Sequence, residues 1–284
     1  MKISIIKPPS ANVDPWVPVF RKKGVEVLEN IVAEDCDFMV CASHSQINIL
    51  EHFHSLYPEI PIINYNWDLY GWVWEHPRGY DWTKYGEYLK KSKEIWVPSE
   101  EVTLRTQEFF GLGTRCKIIK SFARFFEYDD IKDERYILQA MRNYTADKNY
   151  GWLRRACTEL DIPLYESQHT LSEPEFQKVI AHCSFLCTEY YEASTGGLTL
   201  LEGYRLGKPV VVSDSIYMGA RDYFGDKAIY FKDDSYEHFK QIIEDTWTNT
   251  PILDRDECIN FTNQYNVEDM VDEMIERLEC LKSS

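Results

Sequence analysis

Short apolar runs alternate with amphipathic stretches along almost the whole of this chain. In the first half, strand-like apolar runs occupy residues 2–6, 37–43, 60–65, 94–99 and 116–122, and the residues between them have mostly helical patterning. Strands that alternate with helices indicate parallel βαβ units in a doubly wound α/β sheet. The pattern therefore predicts a Rossmann-like first half.

The same alternation starts again after a charged segment, EYDDIKDER (127–135). Further strand-like runs follow at residues 136–141, 162–167, 185–190, 209–214 and 228–231, again separated by helical patterns. We interpret the charged segment as an interdomain linker, because it is nearly free of apolar side chains. With 284 residues, the chain is long enough for two domains of about 100–150 residues each. The sequence thus predicts two doubly wound domains with a ligand cleft between them.

Charge and cysteine usage disfavour several classes of protein. The net charge is −16; residues 1–125 hold 15 Lys and Arg against 16 Asp and Glu, while the remainder holds 16 against 31. An anionic macromolecule would therefore have to bind the first half. No stretch approaches the ~20 consecutive apolar residues of a membrane span, so we expect a cytoplasmic protein. The eight cysteines are scattered, which favours buried reduced thiols over disulfides or a zinc site.

The most informative stretch is EASTGGLTLLEGYRLGKPVVVSD (192–214). Gly196 and Gly197 open an amphipathic helix directly after a strand, where free N–H groups and the positive end of the helix dipole would bind a diphosphate. A Cβ at either position would obstruct the close approach of a ligand. Glu202 lies among leucines in the same helix; it is either a carboxylate that accepts hydrogen bonds from ribose hydroxyls or a surface residue.

This stretch resembles the nucleotide-sugar motif of retaining glycosyltransferases of family 4. Matching positions run from Gly197, Leu198, Leu201 and Glu202 to the GKPVVVSD segment (207–214), in the expected order of turn, helix and strand. The resemblance covers about residues 94–282. It implies the GT-B fold, with an acceptor-side domain at 1–126, a donor domain at 127–265 and a closing helix at 266–284 that packs back on the first domain.

The resemblance also implies roles for individual residues. In YILQAMRNYTADKN (136–149), Arg142 and Lys148 match the cations that bind the donor diphosphate. They would neutralise the leaving group, so no metal and no cofactor is expected. Ser194, Thr195, Gly196, Gly197, Leu198 and Glu202 fall on the donor-binding positions.

Three departures from the family pattern bear on catalysis. In strict register the first carboxylate of the family falls on Ser194, and Glu192 reaches that place only if a bulge shifts the chain. The family's histidine in the first domain is replaced by Trp67, followed by a retained Asp68; His44 is a conceivable substitute or a structural histidine. The glycine-rich loop after the first strand is also missing. We predict Glu192, Arg142 and Lys148 as the catalytic set.

The acceptor side is less defined. Aromatic residues, Trp67 and Trp72 among them, are dense between residues 65 and 96. They would stack on sugars or bases, or form an aromatic core. Lysines in the same region permit an anionic acceptor, and otherwise form a solvated helix face. Acceptors compatible with these features are a glycan, a lipid-linked glycan or a hydroxymethylated DNA base. A hydrolase or epimerase of nucleotide sugars and a non-catalytic sugar- or nucleotide-binding protein stay as alternatives.

Overall fold

The structure is a computed structural model in which the chain forms two compact units. It describes residues 1–8, 14–66, 81–113, 115–139, 151–166, 171–188, 197–214, 220–232 and 234–284, with only the backbone of His44, Glu101 and Arg105. Unit 1 comprises Met1–Phe122 and Val267–Ser284, and unit 2 comprises Ala123–Asn266.

Unit 1 is built on a six-stranded parallel sheet. In chain order its strands are β1 (Lys2–Ile6), β2 (Glu26–Glu29), β3 (Phe38–Cys41), β4 (Ile62–Tyr65), β5 (Glu94–Val97) and β6 (Cys116–Ile118). They lie in the order β2-β1-β3-β4-β5-β6, and every neighbouring pair is parallel. Strands β3, β4 and β5 are buried along their whole length, which explains their continuous apolar runs.

Helices connect these strands. They are α1 (Trp16–Lys22), α2 (Ile47–Leu56), α3 (Trp82–Lys91) and α4 (Glu100–Phe110). Helix α4 shows how local sequence sets the boundaries. The Ser99 hydroxyl accepts a hydrogen bond from the Val102 N–H at 3.2 Å, which caps its start. Gly111 ends it in the left-handed conformation, at φ +63°.

Unit 2 is built on a five-stranded parallel sheet. Its strands are β7 (Ile137–Gln139), β8 (Leu164–Glu166), β9 (Phe185–Thr188), β10 (Val210–Ser213) and β11 (Ile229–Phe231), in the order β11-β10-β9-β7-β8. Its helices are α5 (Trp152–Glu159), α6 (Glu173–His182), α7 (Leu198–Arg205), α8 (Ala220–Phe224), α9 (Tyr236–Thr248) and α10 (Arg255–Thr262). Helices α5 and α9 pack on one face, and α6 and α7 pack on the other.

The charged segment 127–135 belongs to unit 2, not to a free linker. The Glu134 N–H donates to the His182 carbonyl at 2.9 Å, and the Glu134 carboxylate lies 2.9 Å from His182 Nδ1. The Ser184 hydroxyl donates to Asp133 Oδ1 at 2.6 Å. Acids of the segment are thus hydrogen-bonding partners for the end of α6 and the turn after it. The high charge of the segment therefore did not mean that it is a solvated linker.

The helix α11 (Val267–Ser283) completes unit 1. Met270, Val271, Met274 and Leu278 are buried in one apolar cluster with side chains of α1 and the six-stranded sheet. Arg277 forms an ion pair with Glu94 at the start of β5, and Glu94 is only 5% exposed. The helix is therefore part of the core of this unit.

Candidate functional site

The sheet of unit 2 reverses its winding at β7. The chain leaves β7 through α5 to reach β8 on one side, and returns through α6 to β9 on the other side. Connections that leave neighbouring strands in opposite directions open a crevice at the carboxyl ends, where α/β sheets bind ligands. Gln139 of β7 is paired with Cys187 of β9 at this edge. The segments 140–150 and 189–196, which follow β7 and β9 directly, therefore start from neighbouring points.

Gly197 opens α7 at the same edge. Its backbone is left-handed, with φ +73° and ψ 74°, a conformation that residues with a side chain rarely adopt. A Cβ on Gly197 would lie 3.0 Å from Leu200 Cδ1. No described side chain caps this helix, so the N–H groups of its first turn and the positive end of its dipole face the carboxyl edge. The turn has the geometry that an anion site at a helix N-terminus requires.

Gly203 holds α7 close to the sheet. A Cβ at Gly203 would lie 2.4 Å from Leu186 Cδ1 of β9. On either side of the glycine, Leu200 and Tyr204 are buried in the cluster that α7 shares with the sheet. Gly203 was not among the residues predicted from the sequence. It could have been noticed as a glycine in the middle of an otherwise strongly helical run, LLEGYR, because such a glycine often permits close packing.

Glu202 is buried in α7. Its exposed fraction is 6%, and it lies between the buried residues Leu201 and Gly203. The alternative of a solvated surface carboxylate is therefore wrong. A buried carboxylate is retained where hydrogen-bond donors surround it, which is consistent with a residue that accepts hydrogen bonds from a ligand.

Lys208, in the GKPVVVSD segment, has a structural role. Its Nζ donates to the Lys132 carbonyl at 2.5 Å and to the Cys183 carbonyl at 2.8 Å, and the residue is 6% exposed. Burial lowers the pKa of Lys208 below its usual value. The lysine joins the charged segment 127–135 to the turn before β9, at the amino edge of the sheet.

The sheet of unit 1 has a reversal of its own, at β1. Strand β1 lies between β2 and β3, and His44 begins a 3-10 turn (His44–Gln46) soon after β3. The buried Lys7 follows β1, and its Nζ forms ion pairs with Asp14 and, at 3.4 Å, with Glu29. Burial opposes the charge of Lys7, but the ion pairs with Asp14 and Glu29 outweigh it, so the pKa of Lys7 is raised. The sequence analysis did not anticipate this cation.

Comparisons with known proteins identify the architecture. No protein-family model and no curated protein matches the sequence. Among solved structures, sucrose-phosphate synthase from Thermosynechococcus elongatus is similar with a TM-score of 0.79 at 9% identity, over 100% of this chain and 99% of that one. HepE from Anabaena, in complex with UDP and glucose, gives 0.68 at 12% identity, over 99% and 100%. The pneumococcal O-GlcNAc transferase GtfA, in complex with UDP and GlcNAc, gives 0.61 at 11% identity, over 87% and 57%.

These similar structures are GT-B glycosyltransferases. This chain has the GT-B fold. At these identities the similarity establishes the fold alone. The two parallel sheets, of six and five strands, are the two Rossmann-like domains of that fold.

Most of the predicted site residues of the GT-B chain lie outside the described ranges. These residues are Trp67, Asp68, Trp72, Arg142, Lys148, Glu192, Ser194, Thr195 and Gly196. Gly197, Leu198 and Glu202 are described; Gly197 is the N-cap of α7, and the other two lie in that helix. For the others the structure gives the anchoring strands: β4 for the aromatic segment, β7 for the two cations, and β9 for the motif that leads to α7. Their roles stay predictions.

The described aromatic residues between 65 and 96 are core residues of the GT-B chain. Tyr65, Trp82, Tyr85, Tyr88 and Trp96 are all buried. Trp82 and Tyr85 lie in the first turn of α3, and their rings meet edge-to-face at 6.1 Å. For these five residues the aromatic-core interpretation is correct, and the ligand-stacking alternative does not apply.

Within the part of the GT-B chain that the structure describes, helices are too short or too polar to cross a bilayer.

Proposed function

We propose that this protein is a glycosyltransferase that moves a sugar from a nucleotide-diphosphate sugar to a hydroxyl acceptor. The observation that carries the proposal is the similarity of the whole chain to GT-B enzymes, among them HepE, which has been solved with UDP-glucose. Unit 2 supports it independently, because its switch point combines an αL glycine and a helix N-terminus at one edge, and the same helix holds a buried carboxylate.

In this proposal the donor lies at the carboxyl edge of unit 2. The diphosphate faces the first turn of α7, and Arg142 and Lys148 supply positive charge from the segment after β7. Charge-assisted hydrogen bonds from two cations would stabilise the leaving diphosphate as the glycosidic bond breaks. Glu202 would accept hydrogen bonds from the ribose, and Glu192 would face the transferred sugar, with Ser194 in the alternative register.

The resemblance to family 4 enzymes leads us to propose retention of the anomeric configuration. In that mechanism the departing diphosphate assists deprotonation of the acceptor hydroxyl on the same face of the sugar, so the protein chiefly positions groups and neutralises charge. We propose that two side-chain cations take the place that a metal has in other transferases. Full activity in excess EDTA is the expected result, and abolition of activity that Mn²⁺ or Mg²⁺ restores would contradict it.

The acceptor would bind on the side of unit 1, where the reversal at β1 brings Lys7 and His44 to the carboxyl edge. Trp67, Asp68 and Trp72 follow β4 of the same sheet. Residues 1–125 hold nearly balanced charge, 15 Lys and Arg against 16 Asp and Glu, so a glycan, a lipid-linked glycan and a hydroxymethylated DNA base are the acceptor classes to test.

The experiment is a transfer assay with the full chain. A melting-temperature screen with nucleoside diphosphates first identifies the donor nucleotide. Radiolabelled sugars on that nucleotide are then incubated with a panel of the three acceptor classes, and label in the acceptor is measured separately from free sugar. We expect transfer to one acceptor class. The transferred sugar should have the same anomeric configuration, α or β, in the product as in the donor.

Two outcomes would favour the alternative functions. Free sugar or an isomerised nucleotide sugar without transfer to any acceptor indicates a hydrolase or an epimerase. Tight nucleotide binding without turnover of any donor indicates a non-catalytic binding protein, an alternative that the replacements at Ser194 and Trp67 make worth testing.

A further inference from the structure

Thr188 is a buried residue whose hydroxyl has no partner among the described residues. It is the last residue of β9 and is 1% exposed. Its Oγ1 makes no hydrogen bond to any residue that the structure describes, although nearly all buried polar side-chain atoms in proteins make at least one. A valine would fill the same space without the free-energy cost of burying an unpaired hydroxyl. The hydroxyl therefore requires an explanation outside the folding of this unit.

The pleat of β9 sets the direction of this side chain. Phe185 and Cys187 belong to the cluster on the face of α5 and α9, and Leu186 belongs to the cluster on the face of α6 and α7. Side chains alternate along a strand, so Thr188 shares the face of Leu186. Its register partner on β10, Val212, lies in the same cluster as Leu186. Thr188 thus lies on the side of the sheet that α7 covers.

Distances along the two elements place Thr188 beside the beginning of α7. Leu186 is opposite Gly203 of that helix. Thr188 lies about 6.6 Å further toward the carboxyl edge, at 3.3 Å per strand residue. The same distance along an α-helix is about four residues, which leads from Gly203 back to Thr199 in the first turn. An unpartnered hydroxyl and a turn of uncapped N–H groups therefore lie at the same edge.

We propose that Thr188 is a donor-binding residue, and that its hydroxyl donates a hydrogen bond to an oxygen of the diphosphate seated at the N-terminus of α7. The inference rests on the proposed function, since it names a further contact within that donor site. The bound diphosphate supplies the partner that the hydroxyl lacks. The helix dipole attracts the diphosphate without fixing its orientation. The Thr188 hydroxyl adds a directional hydrogen bond, which fixes the orientation of the diphosphate relative to β9.

The test compares Thr188→Val with Thr188→Ser in the full chain. Calorimetry measures the Kd of UDP, ADP and GDP, and the nucleotide that the parent chain binds most tightly is used for the variants. Loss of a hydrogen bond to a charged oxygen is expected to raise Kd about tenfold or more in T188V. T188S keeps the hydroxyl, so its Kd should stay within about threefold of the parent.

Melting temperature without nucleotide separates a ligand contact from a structural one. T188V should melt at the same temperature as the parent or higher, because it replaces an unpaired buried hydroxyl by a methyl group. A lower melting temperature in T188V that T188S restores would show a structural partner for the hydroxyl and overturn the inference.

Thr262→Val is the matched control. Thr262 is fully buried in unit 2, and its hydroxyl donates to the Cys258 carbonyl at 2.8 Å and accepts from Arg205 Nη1 at 3.2 Å. T262V should show the opposite pattern, with a melting temperature lower by about 2–4 °C and an unchanged Kd.

The role of Thr188 and the proposed function can be refuted separately. If the parent chain binds a nucleoside diphosphate and T188V binds it equally well, the inference about Thr188 is wrong and the proposed function stands. If the parent chain binds none of UDP, ADP and GDP, the proposed donor site is wrong, and the role of Thr188 and the proposed function are both refuted.

Discussion

At the scale of single residues, the packing of Gly203 against Leu186 fixes where α7 begins. We expect Gly203→Ala to destabilise the protein by about 1–3 kcal/mol, because the new Cβ would overlap Leu186. This loss would exceed the gain of about 1 kcal/mol that Ala brings to a helix. Nucleotide affinity should also fall, since the helix N-terminus shifts. Urea unfolding and calorimetry measure the two effects.

Gly86→Ala is the control for that substitution. Gly86 lies in α3 of unit 1, and a Cβ there would lie 2.6 Å from Phe110 Cδ1. We expect G86A to lower stability by a comparable amount and to leave nucleotide affinity unchanged. An equal loss of affinity in both variants would mean that general destabilisation, not the position of α7, is responsible.

The two cations after β7 give a second prediction at this scale. Arg142→Ala and Lys148→Ala should each weaken nucleoside diphosphate binding by about 1.5–3 kcal/mol, the contribution of a hydrogen bond to a charged group. Lys240→Ala is the charge-matched control, because Lys240 pairs with Glu159 at the end of α5, toward the amino edge of the same sheet. Unchanged affinity in both R142A and K148A would refute their assignment to the donor.

The sequence anticipated part of the site at this scale. Gly197 and Glu202 could be recognised because a glycine turn, a helix and a strand follow one another locally. Thr188 could not, because its significance depends on the packing of α7 against β9, which local patterning does not contain. Gly203 gave a local signal, a glycine within a helical run, but not the residue that it packs against. The buried Lys7 was missed for the same reason, since one of its acids, Glu29, is separated from it by a whole helix.

At the scale of elements, the fully buried central strands of unit 1 were predictable and its edge strand β2 was not. The central strands β3, β4 and β5 are buried throughout, so their sequences are unmistakable. Strand β2 was missed because it is a partly exposed edge strand with glutamates at both ends. Segment 127–135 was misinterpreted as a linker because two of its acids, Glu134 and Asp133, bind His182 at the end of α6 and Ser184 just after it.

The junction between α5 and α9 provides a pH-dependent prediction. Hydrogen bonds from Lys240 and then Arg155 lower the pKa of Glu159 from 4.5 to about 2. A carboxyl group whose folded pKa is depressed stabilises the fold fully above its unfolded pKa, and this stabilisation is lost as pH falls through the folded pKa. Stability should therefore decrease between pH 4.5 and about 2.

Glu159→Gln tests this directly. The variant cannot titrate at this position, so its unfolding free energy, measured by urea denaturation across that pH range, should fall less steeply than that of the parent. Glu244→Gln removes the same charge from an exposed position of α9 and serves as control. Parallel pH profiles for the parent and E159Q would contradict the prediction.

At the scale of the whole molecule, the two units differ in how the chain builds them. Unit 2 is one continuous segment, Ala123–Asn266, whereas unit 1 combines Met1–Phe122 with Val267–Ser284. Both apolar clusters of unit 2 lie entirely within its own segment. We expect residues 123–266, expressed alone, to unfold cooperatively and to bind the same nucleoside diphosphate as the full chain.

A chain that stops at residue 266 is the complementary test. It lacks Met270, Val271, Met274 and Leu278 of the unit 1 cluster, and truncation of each such side chain costs about 2–5 kcal/mol. Their sum, about 8–20 kcal/mol, is as large as the whole stability of a typical domain, about 5–15 kcal/mol, so unit 1 should lose its unfolding transition while unit 2 keeps its own. Two intact transitions in calorimetry would show that α11 is dispensable.

The placement of α11 in unit 1 also orders events on the ribosome. Residues 267–283 are translated only after the whole of unit 2. Until then, the six-stranded sheet of unit 1 lacks α11 and leaves one apolar surface uncovered while unit 2 is synthesised and folds. The half that is made first is therefore finished last. During that interval, the nascent chain exposes the surface that a chaperone would recognise.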